Sequence, residues 1–166
     1  MSPADKQQRL AGFLAAHRDS GLPVTIQRRA VFEAIVERPD HPTAEQVYRA
    51  VRQDLPQISR MTVHRILGTF VSLGLVTKTC HPGSATRFDP KTHQHHHLVC
   101  LECGTIIDIE DSRLNSLPWP EVDPREFAIQ DYHVHFHGRC ARCRQKERGR
   151  ARPAAGPRGA GGPQDT

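Results

Sequence analysis

The chain has 166 residues, of which 37% are hydrophobic, and carries a formal net charge of +5. That length buries one core, or two small ones if the lesser is stapled. The apolar content excludes a disordered chain, and no run nears the roughly 18 apolar residues of a membrane-spanning helix. The first twenty-one residues lack a basic start, an apolar stretch and a small-residue cleavage site, so a cytoplasmic address and no membrane partner are expected. Charge is unevenly spread: residues 1–90 carry +4, residues 91–143 carry −3 and residues 144–166 carry +4. A basic front half suits a polyanion such as DNA, and an acidic, histidine-laden second half suits metal cations.

Along the chain, Leu10, Phe13 and Leu14 recur at helical spacing in a first helix that Gly21 closes. Thr25 caps a second helix, with Ile26, Ala30, Val31, Ala34 and Ile35 on one face and Pro39 at its end. Thr43 and Gln46 form a capping box for a third helix, which Leu55 and Pro56 stop. Ser59 caps a fourth, whose buried stripe is Val63, Ile66, Leu67, Phe70 and Leu73 and whose stop is Gly74. Its other face shows Arg60, Thr62, Arg65 and Thr69.

Two short β-leaning runs follow, Leu75–Thr79 and Ala85–Phe88, joined by the turn His81-Pro82-Gly83-Ser84. A leading helix, three more helices and a hairpin make the winged helix-turn-helix layout. The helix before the wing, residues 59–73, is then the one expected to read the DNA major groove. The second half is strand-like around His95–Leu101, Thr105–Ile109 and Glu126–His137, with a short helix expected over Asp111–Leu117 before three prolines. The fold class is therefore α+β. Residues 1–88 form the DNA-binding domain and residues 89–143 a small metal-sensing domain. Residues 144–166, rich in Arg, Gly, Pro and Ala, form a disordered basic tail.

Four of five cysteines fall in two CxxC pairs, Cys100/Cys103 and Cys140/Cys143. Two such pairs complete a tetrahedral thiolate site for structural Zn2+. The alternative, disulfides, fits poorly with a reducing cytosol. Cys80 stands apart as a residue of the wing. Of eleven histidines, four crowd into residues 93–97. On a strand His95 and His97 share one face and His96 takes the other, so two imidazoles can chelate a divalent first-row metal. Asp89 just before the tract and Asp108 on a neighbouring strand can add carboxylates. If His41, from the DNA-binding half, also reaches the ion, the ion bridges the halves and fixes their angle.

These residues match a known family. From Gly21 to Cys143, through Gln27-Arg28, His41 to Tyr48, Ser59 to Arg65, Arg87-Phe88-Asp89, His95 to Gly104 and the last CxxC pair, the sequence resembles the ferric uptake regulator family of bacterial repressors. The resemblance implies a homodimer that binds a double-stranded DNA operator when metal-loaded, with the second domain also serving dimerisation. It places regulatory Fe2+ or Mn2+ on His41, Asp89, His95, His97 and Asp108, structural Zn2+ on the four paired cysteines, and DNA contacts on Arg28, Ser59, Arg60, Thr62, His64 and Arg65. Asp at both 89 and 108, where iron sensors of the family usually carry Glu, is like the peroxide-sensing PerR branch. There bound iron reacts with hydrogen peroxide, a ligand histidine is oxidised and DNA is released, so the protein is not expected to be an enzyme. The alternative is an iron- or zinc-responsive uptake repressor without peroxide sensing. The zinc-uptake branch often has a Cys ligand where Pro90 stands. This chain departs from the family pattern with His64 in place of a usual Tyr, with Pro23 in place of a basic residue, and with prolines after Leu117 in place of a longer helix. A further family metal site would use positions 94, 96, 115 and 132, where only His96 is a ligand type.

Overall fold

The computed structural model describes residues 3–38, 40–79 and 85–150. Its first helix, α1 (Pro3–Asp19), puts Phe13 and His17 on one face four residues apart, both buried. Gly21 ends it in the left-handed region at φ +67, where the Leu22 N–H donates back to the His17 carbonyl at 3.1 Å. In α2 (Ile26–Val36) the Thr25 hydroxyl accepts the Arg28 N–H, as a cap should. Its buried face is Val31, Phe32, Ile35 and Val36. Ile26, expected on that face, is 76% exposed, because the first turn projects past the core and Phe32 and Val36 fill the space instead. The helix stops at Val36 through ordinary capping by Glu37; the expected stop at Pro39 lies outside the described residues.

Both halves of the expected capping box are present at α3 (Ala44–Asp54): the Thr43 N–H donates to Gln46 Oε1 at 2.8 Å and the Gln46 N–H to Thr43 Oγ1 at 3.2 Å. Ser59 caps α4 (Arg60–Ser72), which buries Val63, Ile66, Leu67 and Phe70. Gly74, at φ +66, lets the chain turn away, with the Leu75 N–H returning to the Phe70 carbonyl at 2.9 Å. One core results. Phe13, Phe32 and Phe70 meet at ring separations of 4.6 to 5.8 Å at its centre, with Ile35, Val47, Leu67 and Val76 around them.

The expected wing pairs as antiparallel strands β1 (Thr77–Thr79) and β2 (Arg87–Asp89), in the register Thr77↔Asp89. Its turn and Cys80 lie outside the described residues. Because Asp89 is itself a paired residue of β2, the boundary expected between residues 88 and 89 falls inside a strand.

The second half is a three-stranded sheet ordered β4-β3-β5. Its central strand β3 (His96–Cys100) runs antiparallel to β4 (Ile106–Ile109) and parallel to β5 (His135–Gly138). Three expectations need correction here. Residues 112–116 form turns rather than a helix: Asp111 caps a single turn, its carbonyl accepting the Leu114 N–H at 3.0 Å, and Pro118 follows too soon for it to extend. Of the strand expected over 126–137, only the last part pairs, because β3 is itself a strand of five residues and offers no edge to the rest. And residues 144–150 are not a disordered tail: they continue α5 (Ala141–Arg150), whose Arg, Gln, Lys and Glu are good helix formers. Residues 151–166 lie outside the described residues.

Thr43→Ala removes one of two reciprocal capping bonds, so it should lower the unfolding free energy by about 1 kcal/mol. Urea unfolding of the zinc-loaded protein measures this; an unchanged midpoint would deny the cap that role.

Candidate metal centre

His41 sits in the left-handed region at φ 51, a conformation that costs a non-glycine residue energy and needs support from its surroundings. That support comes from β2. Arg87 Nη1 donates to the His41 carbonyl at 3.0 Å, the Phe88 N–H donates to the Pro42 carbonyl at 3.0 Å, and Thr43 bridges Arg87. His41 and Asp89, 48 positions apart, are thereby held as one unit. The other three candidates come from the sheet: His97 lies directly across from Asp108 in the β3–β4 register, and His95 just precedes β3.

These five side chains converge. One ligand atom from each of His41, Asp89, His95, His97 and Asp108 lies within 4.8 Å of all the others. Asp89 Oδ2 stands 3.1 Å from His41 Nε2 and 2.7 Å from His95 Nε2, and Asp108 Oδ1 stands 2.9 Å from His41 Nε2. His97 Nε2 is 3.1 Å from His95 Nε2. Four of the five residues are only 2% exposed, so water cannot satisfy them. His96 points the other way: its Nδ1 accepts the Val134 N–H at 3.2 Å, which leaves Nε2–H to donate to Asn115 Oδ1 at 2.9 Å. That imidazole is fully engaged as a neutral structural group. Asn115 and Tyr132, whose ring stacks on His96, make this a hydrogen-bonded post rather than a second cluster.

The hydrogen-bond inventory tests whether a cation fits. His95 Nδ1 lies 2.8 Å from the His93 carbonyl, which can only accept, so Nδ1 carries the proton. In the neutral ring Nε2 is then a bare lone pair aimed at a carboxylate oxygen and at a second imidazole nitrogen. Such an arrangement needs a proton or a metal ion among the donors. Asp108 Oδ1 completes the picture: it approaches His41 Nε2 without the alignment of a hydrogen bond. Three imidazole nitrogens and two carboxylate oxygens are a donor set for a divalent first-row metal, and the residues fit one.

Electrostatics agree. Burial opposes charging of His41, but the Asp108 and Asp89 carboxylates outweigh it and raise its pKa from 6.5 to about 9. His95 is raised chiefly by Asp89, against burial. Burial pushes Asp89 up, yet the three histidines and the Lys91 N–H hold it well below the usual carboxylate range. Asp108 is likewise opposed by burial, and His41 and Lys91 bring it down to about 2.

A second cluster joins the paired cysteines. All four sulfurs lie within 4.8 Å of one another, all four thiols are free, and Cys103 Sγ stands 3.7 Å from Cys140 Sγ. A tetrahedral ion with bonds of about 2.3 Å separates its thiolates by about 3.8 Å. The Thr105 hydroxyl and N–H, with Arg142, lower Cys103 to about 5, while burial and the neighbouring thiols push Cys143 up. The cluster joins the turn after β3 to the segment after β5.

The DNA-contact candidates divide into three. Arg28, Thr62 and Arg65 line one groove between the start of α2 and the face of α4, with Pro23 at its edge, and His64 is exposed beside them. Arg60 is drawn sideways onto α3, over the Tyr48 ring at 4.5 Å and 2.9 Å from Glu45. The Ser59 hydroxyl is taken up by the cap of α4. Sequence reasoning missed Arg87, which braces His41, and Lys91, which touches both carboxylates of the metal cluster. Neither carries a periodic or ligand-type signal.

The ferric uptake regulator family model matches residues 19–137. The peroxide-responsive repressor PerR of Staphylococcus aureus is 32% identical over 133 residues, 80% of this chain and 90% of its own. Among solved structures, the ferric uptake regulator of Vibrio cholerae is 30% identical with a TM-score of 0.57, covering 76% of this chain and 98% of its own. That of Pseudomonas aeruginosa with manganese is 26% identical with a TM-score of 0.61, covering 76% and 96%.

The pH dependence has a defined sign. A histidine whose folded pKa exceeds its unfolded value stabilises the fold below the unfolded value and loses that contribution as pH rises through the folded one. With zinc on the cysteines and no other metal, urea stability should therefore decline between pH 6.5 and pH 9. The decline should be smaller in His41→Gln; equal profiles for the two proteins would contradict the assignment.

Proposed function

This chain is a member of the ferric uptake regulator family, a metal-responsive transcriptional regulator, and from that premise we propose that it is a homodimeric, cytoplasmic repressor that holds its operator when metal-loaded and releases it on peroxide. The observation that carries this reading is the convergence of five donor atoms, drawn from both halves of the chain, within 4.8 Å. In the reading His41, Asp89, His95, His97 and Asp108 hold Fe2+ or Mn2+, and Cys100, Cys103, Cys140 and Cys143 hold structural Zn2+.

Each group of residues then has a task. Arg28, Thr62, His64 and Arg65 present donors to a DNA duplex from α2 and α4, with Arg60 reaching phosphate only if it leaves Glu45. Bound iron would supply the electrons that activate peroxide. The chain's own contribution is to hold two imidazoles, His41 and His95, against the site so that a ring C–H of one of them could be oxidised by peroxide, gaining one of its oxygens while the other leaves as water. An oxidised ring no longer offers the same nitrogen donor, and the two halves lose their common tie. Because the chain is altered and does not turn over, the role is that of a sensor rather than an enzyme. Aspartates at 89 and 108, short side chains that reach the site with one oxygen each, support the peroxide branch, as does the 32% identity to the staphylococcal PerR.

A dimer is supported by the outer face of the sheet. Ile107, Leu98 and Phe136 stand in line across the three strands and are 48%, 37% and 45% exposed. Such an apolar row on a sheet needs a cover, and a second copy supplies a self-complementary one. Phe136→Asp is expected to shift the protein towards monomer in sedimentation analysis.

A fluorescence assay on an operator fragment, with iron or manganese before and after peroxide, tests the whole reading. The expected result is metal-dependent binding that falls with added salt, loss of binding on peroxide only in the iron form, and a mass gain of one oxygen on His41 or His95. Binding that survives peroxide with no added oxygen would leave an iron- or zinc-responsive repressor. Metal-independent binding would sink both readings.

A further inference from the structure

Each carboxylate of the metal cluster turns one oxygen inward and one outward, and both outward oxygens end on Lys91. Asp89 Oδ1 accepts the Lys91 N–H at 2.8 Å, and Asp108 Oδ2 lies 2.7 Å from Lys91 Nζ. The inward oxygens, Asp89 Oδ2 and Asp108 Oδ1, face His41 at 3.1 and 2.9 Å. These two holds differ in kind. Any residue but proline at position 91 would supply the N–H, so Asp89 depends on the backbone alone. Asp108 depends on the lysine side chain. Glu110 offers the ammonium a second anion, but at 3.8 Å and 64% exposed it is the weaker partner, whereas Asp108 is only 16% exposed.

A cleft of about 730 Å3 opens onto the same corner. Its walls include Arg9, whose guanidinium donates to the Pro90 carbonyl, and Lys91 itself. Of the five clustered residues it is lined by His41, Asp89 and Asp108, with His95 and His97 behind them. Any small molecule reaching the cluster by this route meets it on the side lined by His41, Asp89 and Asp108.

We propose that Lys91 is a positioning residue: by holding the outer oxygen of Asp108 it limits that carboxylate to one inward oxygen and keeps the cleft-facing side of the metal centre open to water or a small ligand. The inference rests on the reading that the five residues bind a metal. Outer partners of this kind commonly decide how a ligating carboxylate is presented. Lys91 Nζ is the partner of Asp108 Oδ2 among the described residues, so without the ammonium that oxygen could turn inward and a two-oxygen grip would close the open side.

Manganese itself is the probe. Water-proton relaxation by the zinc-loaded, full-length protein with one Mn2+ per chain reports whether a water molecule exchanges on the ion. The wild-type protein should show that inner-sphere contribution, Lys91→Met should lose it, and Lys91→Arg should restore it. Lys91→Gln serves as a second neutral variant, with zinc content and circular dichroism checking the fold of each. Equal relaxation in wild type and both neutral variants would overturn the role of Lys91 while leaving the metal centre intact. So would a wild-type protein that binds manganese with no exchanging water. Failure of the wild type to bind manganese, or binding unchanged by His95→Ala, would remove the metal centre and this inference together.

Discussion

Two carboxylates buried against three imidazoles are the constraint on which the rest of this structure turns. With neutral rings the group carries two negative charges, and burying such charge without compensation is costly. Protons can supply the compensation, and the carboxylates raise both His41, to about 9, and His95. A divalent cation supplies it in one step, and does so in the geometry already present, because the His93 carbonyl has fixed which His95 nitrogen is bare. The cluster thus acts as a cation trap whose alternative occupant is the proton. Any condition that changes proton or metal supply acts on the same five residues.

The trap matters because of where its walls are attached. His41 and Asp89 move with the winged helix, tied together through β2 by the Arg87 and Phe88 bonds. His95, His97 and Asp108 move with the β3–β4 pair. Only the segment between Asp89 and His95 joins the two sets along the chain at this point. Switching a two-state hinge from mostly open to mostly closed takes roughly 5 kcal/mol of differential binding, a demand that several coordinate bonds made in one state and not the other can meet. In the proposed reading, two recognition helices would fit successive major-groove turns at one separation alone, so fixing this angle in each copy of a dimer would set DNA affinity.

How far the sequence could be read depends on whether the signal was local. The caps at Thr25, Thr43 and Ser59 are written in three- or four-residue patterns, and each opens its helix where expected. The alternation of His95, His96 and His97 between two sides of a strand is equally local, as is the CxxC pairing. Failures came where tertiary context decides. Ile26 has the right spacing for the core but sits one turn beyond it, and Glu126 to His133 has strand-like composition but lies outside the β3–β5 pairing. Arg144 to Arg150 belongs to a compositionally flexible stretch, yet it follows a cysteine knuckle that starts a helix. Lys91 and Arg87 were invisible for a further reason: their roles exist only once residues 41 and 108 have been brought to them.

The two halves are stabilised by different physics. The winged helix owns a continuous aromatic and aliphatic core. In the sheet the buried apolar residues are few, chiefly Val99 and Ile106 beside Cys100 and Cys143, while Leu98, Ile107 and Phe136 face outward. So small a core offers little against the chain entropy of three strands, and ligand bonds to zinc at the four cysteines would add to it. In the proposed reading the angle between the halves is set by polar contacts about one point, and polar contacts that a cation completes would be undone by removing the cation or altering a ring.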